Sequence, residues 1–205
     1  MNTINFNEDQ IDVLKEFMNI SVGQATSHVA ELLDAFGTMH IPKISIKDMS
    51  ELNHIIVENI DKDSNYYVMK QLFSGKFGGE CIFIISEKSS NNLGSHLFDI
   101  EKPLKDDITD AVMELTNIVT SSIISRLTEE LNVEVQFFAP TSNFLQAANI
   151  VDTDDVNTYS KIIVVSTELE FKDHNISANI FILTKDEAII SLRDLIDKKI
   201  EELYS

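Results

Sequence analysis

Two short patterns of acidic and amide side chains stand out in this 205-residue chain: Asp12, Glu16, Asn19 and Asp110, Glu114, Asn117. On a helix, steps of four and three residues put the three side chains within roughly 60° of one another, on one face. The apolar stripes, Leu14, Met18, Ala25, Val29 and Val112, Val119, Ile123, Leu127, point elsewhere. Their mean direction lies on the order of 140° from the polar face. A carboxylate and a carboxamide one turn apart and directed away from the core make a projecting ridge, not a pocket. That shape suits insertion into a partner's cleft. One such set alone is ordinary solvated surface. Here the set recurs, and each copy is followed after 22 residues by a proline, Pro42 and Pro140. A repeated fold must keep its buried stripe, but it has no reason to keep exposed residues.

The elements that carry these residues also recur. At an offset of 98, Asp12, Glu16, Asn19 and Ile20 fall on Asp110, Glu114, Asn117 and Ile118, and Ile82–Ile84 falls on Ile180–Ile182. We therefore read the chain as a single domain, 1–205, made of two homologous halves, 1–100 and 101–205. In the first half, periodicity predicts a long amphipathic helix over 9–36 with Gly37 as its C-cap and Pro42 beyond the stop. A strand start at 41–46, strands at 54–60, 65–73 and 79–86, and a closing helix at 87–98 follow. The second half predicts a helix over 106–131, strands over 133–139, 160–171 and 176–184, and a helix over 185–201, with 152–158 a polar loop. Hairpin-linked strands and long helices make this an α+β fold, a largely antiparallel sheet with two long amphipathic helices packed on it.

Composition narrows the function. The 16 Lys+Arg against 34 Asp+Glu leave a net charge of −18, which repels phosphate backbones and anionic lipid. No nucleic-acid partner and no membrane insertion are expected. One cysteine cannot make an internal disulfide, and the first ten residues have no basic or apolar leader region. The expected setting is cytoplasmic.

Both motifs, Asp-x3-Glu-x2-Asn-x22-Pro, resemble the pattern of the CheC/CheX/FliY family of chemotaxis phosphatases, and the likeness covers nearly the whole chain. Two intact motifs look most like the CheC branch. After the Asn that family usually reads Ile-Gly-Ala-Gly-Asn-Ala, where this chain has Ile20-Ser21-Val22-Gly23-Gln24-Ala25, and the second helix has no glycine there. The resemblance implies hydrolysis of the aspartyl phosphate on the response regulator CheY. Asn19 and Asn117 would hold a water in line with the acyl phosphate, since an amide offers donor and acceptor together without adding charge. Glu16 and Glu114 would pair with the regulator's active-site lysine. Asp12 and Asp110 would assist position, and Pro42 and Pro140 would stiffen the chain after each helix. The chain would need no metal or cofactor of its own, because Mg²⁺ belongs to the regulator. CheD is an implied second partner, and a monomer is expected because the repeat already supplies a pseudo-symmetric pair. The alternative is a non-catalytic, FliM-like binding module that docks a response regulator or CheD.

The remaining candidates are weak. Cys81 lies in an apolar strand and reads as a buried, inert thiol. His28, His40, His54, His96 and His174 show no ligand spacing. Gly78-Gly79 reads as a turn or bulge, and Asp152, Asp154 and Asp155 lack the Gly and Glu of a calcium loop.

Overall fold

A computed structural model of the chain describes residues 6–150, 161–185 and 187–204. The two long helices are α1, Glu8–Leu33, and α4, Lys105–Glu130, each of 26 residues. Asn7 starts α1 with a reciprocal cap: its side chain accepts from the Gln10 N–H, and its own N–H donates to Gln10 Oε1, both at 2.8 Å. Asp107 does half of this for α4, accepting from the Leu104 N–H at 2.8 Å. α1 ends at Asp34, which takes the left-handed conformation at φ 42°. The expected cap, Gly37, lies beyond the helix and serves packing instead, because a Cβ there would run into the Phe171 ring.

Among the described residues eight strands form one antiparallel sheet: β1 Thr38–Met39, β2 Lys43–Asp48, β3 Asn65–Gly75, β4 Gly79–Ser86, β5 Val135–Phe137, β6 Thr141–Gln146, β7 Lys161–Phe171 and β8 Ile176–Lys185. Their order is β1-β7-β8-β4-β3-β5, with β2 also paired to β7 and β6 to β3. The early strand β2 is thus zipped to the late strand β7, Lys43 opposite Ser166, and the late strand β6 to the early strand β3, Asn65 opposite Gln146. The α+β class with a largely antiparallel sheet under two long helices is as the sequence predicts.

The inner strands are buried on both faces, which is why β4 reads as the nearly unbroken apolar run Cys81–Ile85. On one face α1 and α4 pack together over Met69, Phe73, Phe83, Val165, Leu169, Ile180 and Ile182. On the other face Tyr66, Val68, Ile82, Ile84, Val164 and Leu183 meet Met49, Leu52 and Ile56. Those last three correct the sequence reading, which placed a strand at 54–60. The segment is a 3-10 turn, Met49–Glu51, running into the helix α2, Leu52–Val57. The Asp48 N–H donates to Glu51 Oε1 at 3.2 Å, and the buried residues fall at helical steps of three and four. The run His54-Ile55-Ile56-Val57 has strand-like composition, but packing decides otherwise.

Two smaller differences concern the ends of elements. The strand expected at 133–139 shortens to β5, which stops before Pro140, a residue with no N–H for a ladder, and the sequence reading had no strand where β6 follows. The closing helices are α3, Glu87–Phe98, and α5, Glu187–Tyr204. The expected loop at 152–158 lies outside the described residues.

The offset between corresponding strands is not the uniform 98 read from the sequence. β2 and β6 start 98 positions apart, but β3 and β7, both of eleven residues, start 96 apart. The burial patterns of β3 and β7 agree at their first ten positions, and Gln71 and Thr167 both stand seventh in their strands.

Candidate functional site

The outward faces of α1 and α4 carry the motif residues except Asn117, which the sequence reading also placed outward and which turns toward the sheet; the buried stripes beneath fix which way those faces point. Leu14, Met18, Val22, Ala25 and Val29 are buried on α1. Asp12, Glu16 and Asn19 are exposed, as Asp110 and Glu114 are on α4. Asp12 is held by a 3.0 Å ion pair with Lys15. Glu16 and Glu114 have no ion-pair partner among the described residues, so each carboxylate is free to meet an incoming cation. Gly23, one turn beyond Asn19, is exposed, and a Cβ there would meet nothing within 4 Å. No close helix packing demands that glycine.

Asn117 differs from Asn19. It is half-buried, and its Oδ1 accepts a hydrogen bond from Gln71 Nε2 at 3.0 Å. Gln71 lies on β3 between Met69 and Phe73, on the face that packs against the helices, and is only 3% exposed. The same Nε2 donates to the Phe138 carbonyl at 3.1 Å. Sequence reasoning passed over Gln71. The signal available was a long polar side chain in the centre of an otherwise apolar row, where burial demands a partner.

The corresponding place on β7 carries Thr167, whose Oγ1 donates to the His40 carbonyl at 2.6 Å. His40 and Phe138 are themselves matched: the His40 N–H donates to Glu168 O at 2.9 Å, and the Phe138 N–H donates to Leu72 O at 3.0 Å. Thr167 therefore satisfies the His40 carbonyl as Gln71 satisfies that of Phe138, but has no second donor. Asn19 has no side-chain hydrogen bond among the described residues. Pro42 is buried between β1 and β2, and Pro140 is half-buried between β5 and β6.

Cys81, His28 and His96 are tied into the fold. Cys81 is fully buried, and desolvation pushes its thiol up to about 12. His28 Nδ1 lies 2.7 Å from Ser122 Oγ, bridging α1 and α4. His96 stacks on His174 with ring centroids 3.9 Å apart and bonds the Leu33 carbonyl at 2.6 Å. Among the described residues no group of three or more His, Cys, Asp or Glu could hold a metal ion. Asp152, Asp154 and Asp155 lie outside the described residues. No described helix is long and apolar enough to cross a membrane.

No protein-family model matches the chain, and no curated protein matches it. Solved structures do. FliY from Thermotoga maritima superposes with a TM-score of 0.74 at 15% identity, over 95% of this chain and 98% of that one. The FliM middle domain from Vibrio alginolyticus gives 0.61 at 14%, over 88% and 98%. CheX from Borrelia burgdorferi, solved in a complex with CheY, BeF3 and Mg²⁺, gives 0.55 at 14%, over 83% and 98%. Identities this low make the likeness one of architecture: the chain has the fold shared by CheX, FliY and the FliM middle domain.

Proposed function

We propose that the chain is a CheC-type phosphatase that hydrolyses the aspartyl phosphate of a CheY-type response regulator and so ends a chemotaxis signal. The observation that carries this reading is the pair of exposed carboxylates, Glu16 and Glu114, each one turn before an asparagine. The likeness in fold to a CheX solved together with CheY supports it. Each glutamate meets the regulator's lysine and sets the docking angle. Each asparagine holds a water in line with the phosphorus. The water oxygen bonds to phosphorus as the bond from phosphorus to the regulator's aspartate breaks, leaving a carboxylate and inorganic phosphate. Mg²⁺ and the phosphoryl group come with the regulator, so the phosphatase contributes position alone. In this reading the halves 1–100 and 101–205 are copies of one unit, the protein works as a cytoplasmic monomer, and CheD is a second partner. The match between the Gln71–Phe138 and Thr167–His40 bonds supports the duplication.

The second reading is a binding module that docks a regulator or CheD without turnover, favoured by the likeness to the FliM middle domain. Loss of radiolabel from a phosphorylated CheY-type regulator separates the two. Acceleration by the wild-type chain that falls in Asn19→Ala, in Asn117→Ala and further in the double variant establishes a two-site phosphatase. Binding without acceleration establishes the module.

A further inference from the structure

We infer that Gln71 is a positioning residue for Asn117, and that the two Glu/Asn sites are therefore unequal, with the Asn117 site pre-organised and the Asn19 site not. This rests on the phosphatase reading for its functional meaning, but the geometry stands apart from it. Amide oxygen and nitrogen are told apart by their partners. Phe138 offers a backbone carbonyl, which can only accept, so the Gln71 atom 3.1 Å from it is the nitrogen. That same nitrogen lies 3.0 Å from Asn117, so the Asn117 atom facing it is the oxygen. A backbone carbonyl thus sets the orientation of Gln71, and Gln71 sets the orientation of Asn117. The Asn117 Nδ2 makes no hydrogen bond among the described residues, and Oδ1 keeps one lone pair for an incoming donor.

Nothing in the packing calls for a glutamine here. The positions on either side of it on the same face are Met69 and Phe73, and Gln71 Oε1 is buried with no hydrogen-bond partner among the described residues. Thr167 satisfies the corresponding carbonyl with a single hydroxyl and no orphaned atom. A glutamine in place of a threonine leaves a buried acceptor unpaired, and its second hydrogen bond goes to the motif asparagine. At the first site Asn19 has no such brace and must be ordered by the partner on docking, at an entropic cost the second site has already met.

The test uses Gln71→Met, which keeps length and volume and removes both donors. Two readouts are taken. The first is ¹⁵N relaxation of the side-chain carboxamides, assigned by comparison with Asn19→Ala and Asn117→Ala. The Asn117 amide is expected to be more ordered than that of Asn19 in the wild-type chain and to become as mobile as Asn19 in Gln71→Met. The second is turnover of a phosphorylated CheY-type regulator in the Asn19→Ala protein, where only the second site remains. There Gln71→Met is expected to lower kcat about fivefold, the worth of one hydrogen bond, with KM unchanged. The brace is refuted if the Asn117 carboxamide is as mobile as that of Asn19 in the wild-type chain, or if Gln71→Met leaves its mobility unchanged. A rise in KM at constant kcat overturns positioning in favour of docking. If the wild-type chain hydrolyses nothing, the phosphatase reading fails, while the carboxamide measurement still decides whether Gln71 orders Asn117.

Discussion

His28 Nδ1 and Ser122 Oγ meet at 2.7 Å across the seam between α1 and α4. Ser122 is 7% exposed, so its hydroxyl depends on the imidazole for a partner. His28→Ala is expected to destabilise the fold by about 1 kcal/mol, with Ser122→Ala similar and the double variant no worse than either. Urea unfolding of the four proteins measures the coupling, and simple additivity would show that the contact contributes nothing.

Gly23 sits in the interior of α1 with open space where a Cβ would go. Gly23→Ala should raise stability by about 1 kcal/mol, the helix-propensity difference, with no strain to offset it. Gly37→Ala should do the opposite and cost about 1–3 kcal/mol, because Phe171 already occupies the space. Thermal unfolding of the two variants should move in opposite directions.

Cys81 gives the fold an alkaline weakness. In the unfolded chain the thiol loses its proton near its ordinary value of 9.0, while in the folded chain burial holds the proton up to about 12. Between those values the folded state binds the extra proton, so stability falls as pH rises. Burial raises the Tyr66 and Tyr67 hydroxyls as well, adding to the same slope higher up. Urea midpoints should drop steadily above pH 9, less steeply in Cys81→Ala. Ellman's reagent should leave the native thiol untouched and react only on unfolding.

On the proposed phosphatase function, asparagine and glutamate variants should separate by kinetic signature. The double variant Asn19→Ala, Asn117→Ala is expected to lose about 10²-fold in kcat, because the water is no longer placed. Glu16→Ala with Glu114→Ala should act mainly on KM, through the lost charge pairing with the regulator. The reverse pattern in steady-state dephosphorylation would exchange the two roles.

The long helices were legible because their apolar stripes have a helical period over 26 residues, and the same period says which residues face outward. Short segments were not. His54–Val57 has the composition of a strand and becomes helix because Met49, Leu52 and Ile56 fill the second face of the sheet. The end of α1 was misplaced because an aspartate took the left-handed conformation that glycine usually takes. Gln71 could be noticed as a polar residue in an apolar row, but its role could not be read. Its partners, Asn117 and Phe138, lie 46 and 67 positions away, and no local pattern records which distant residues a buried side chain meets.

The exchange of strands between early and late chain governs how the molecule assembles. β2 cannot close its ladder until β7 exists, with Lys43 waiting for Ser166, and β6 must return to a strand formed long before it. Such distant pairings place loop closure ahead of most of the stabilising contacts, which makes for slow folding. They also mean that neither half can leave with a finished sheet. A cut between α3 and α4 would separate the partners of every ladder between early and late strands, β4 with β8 included.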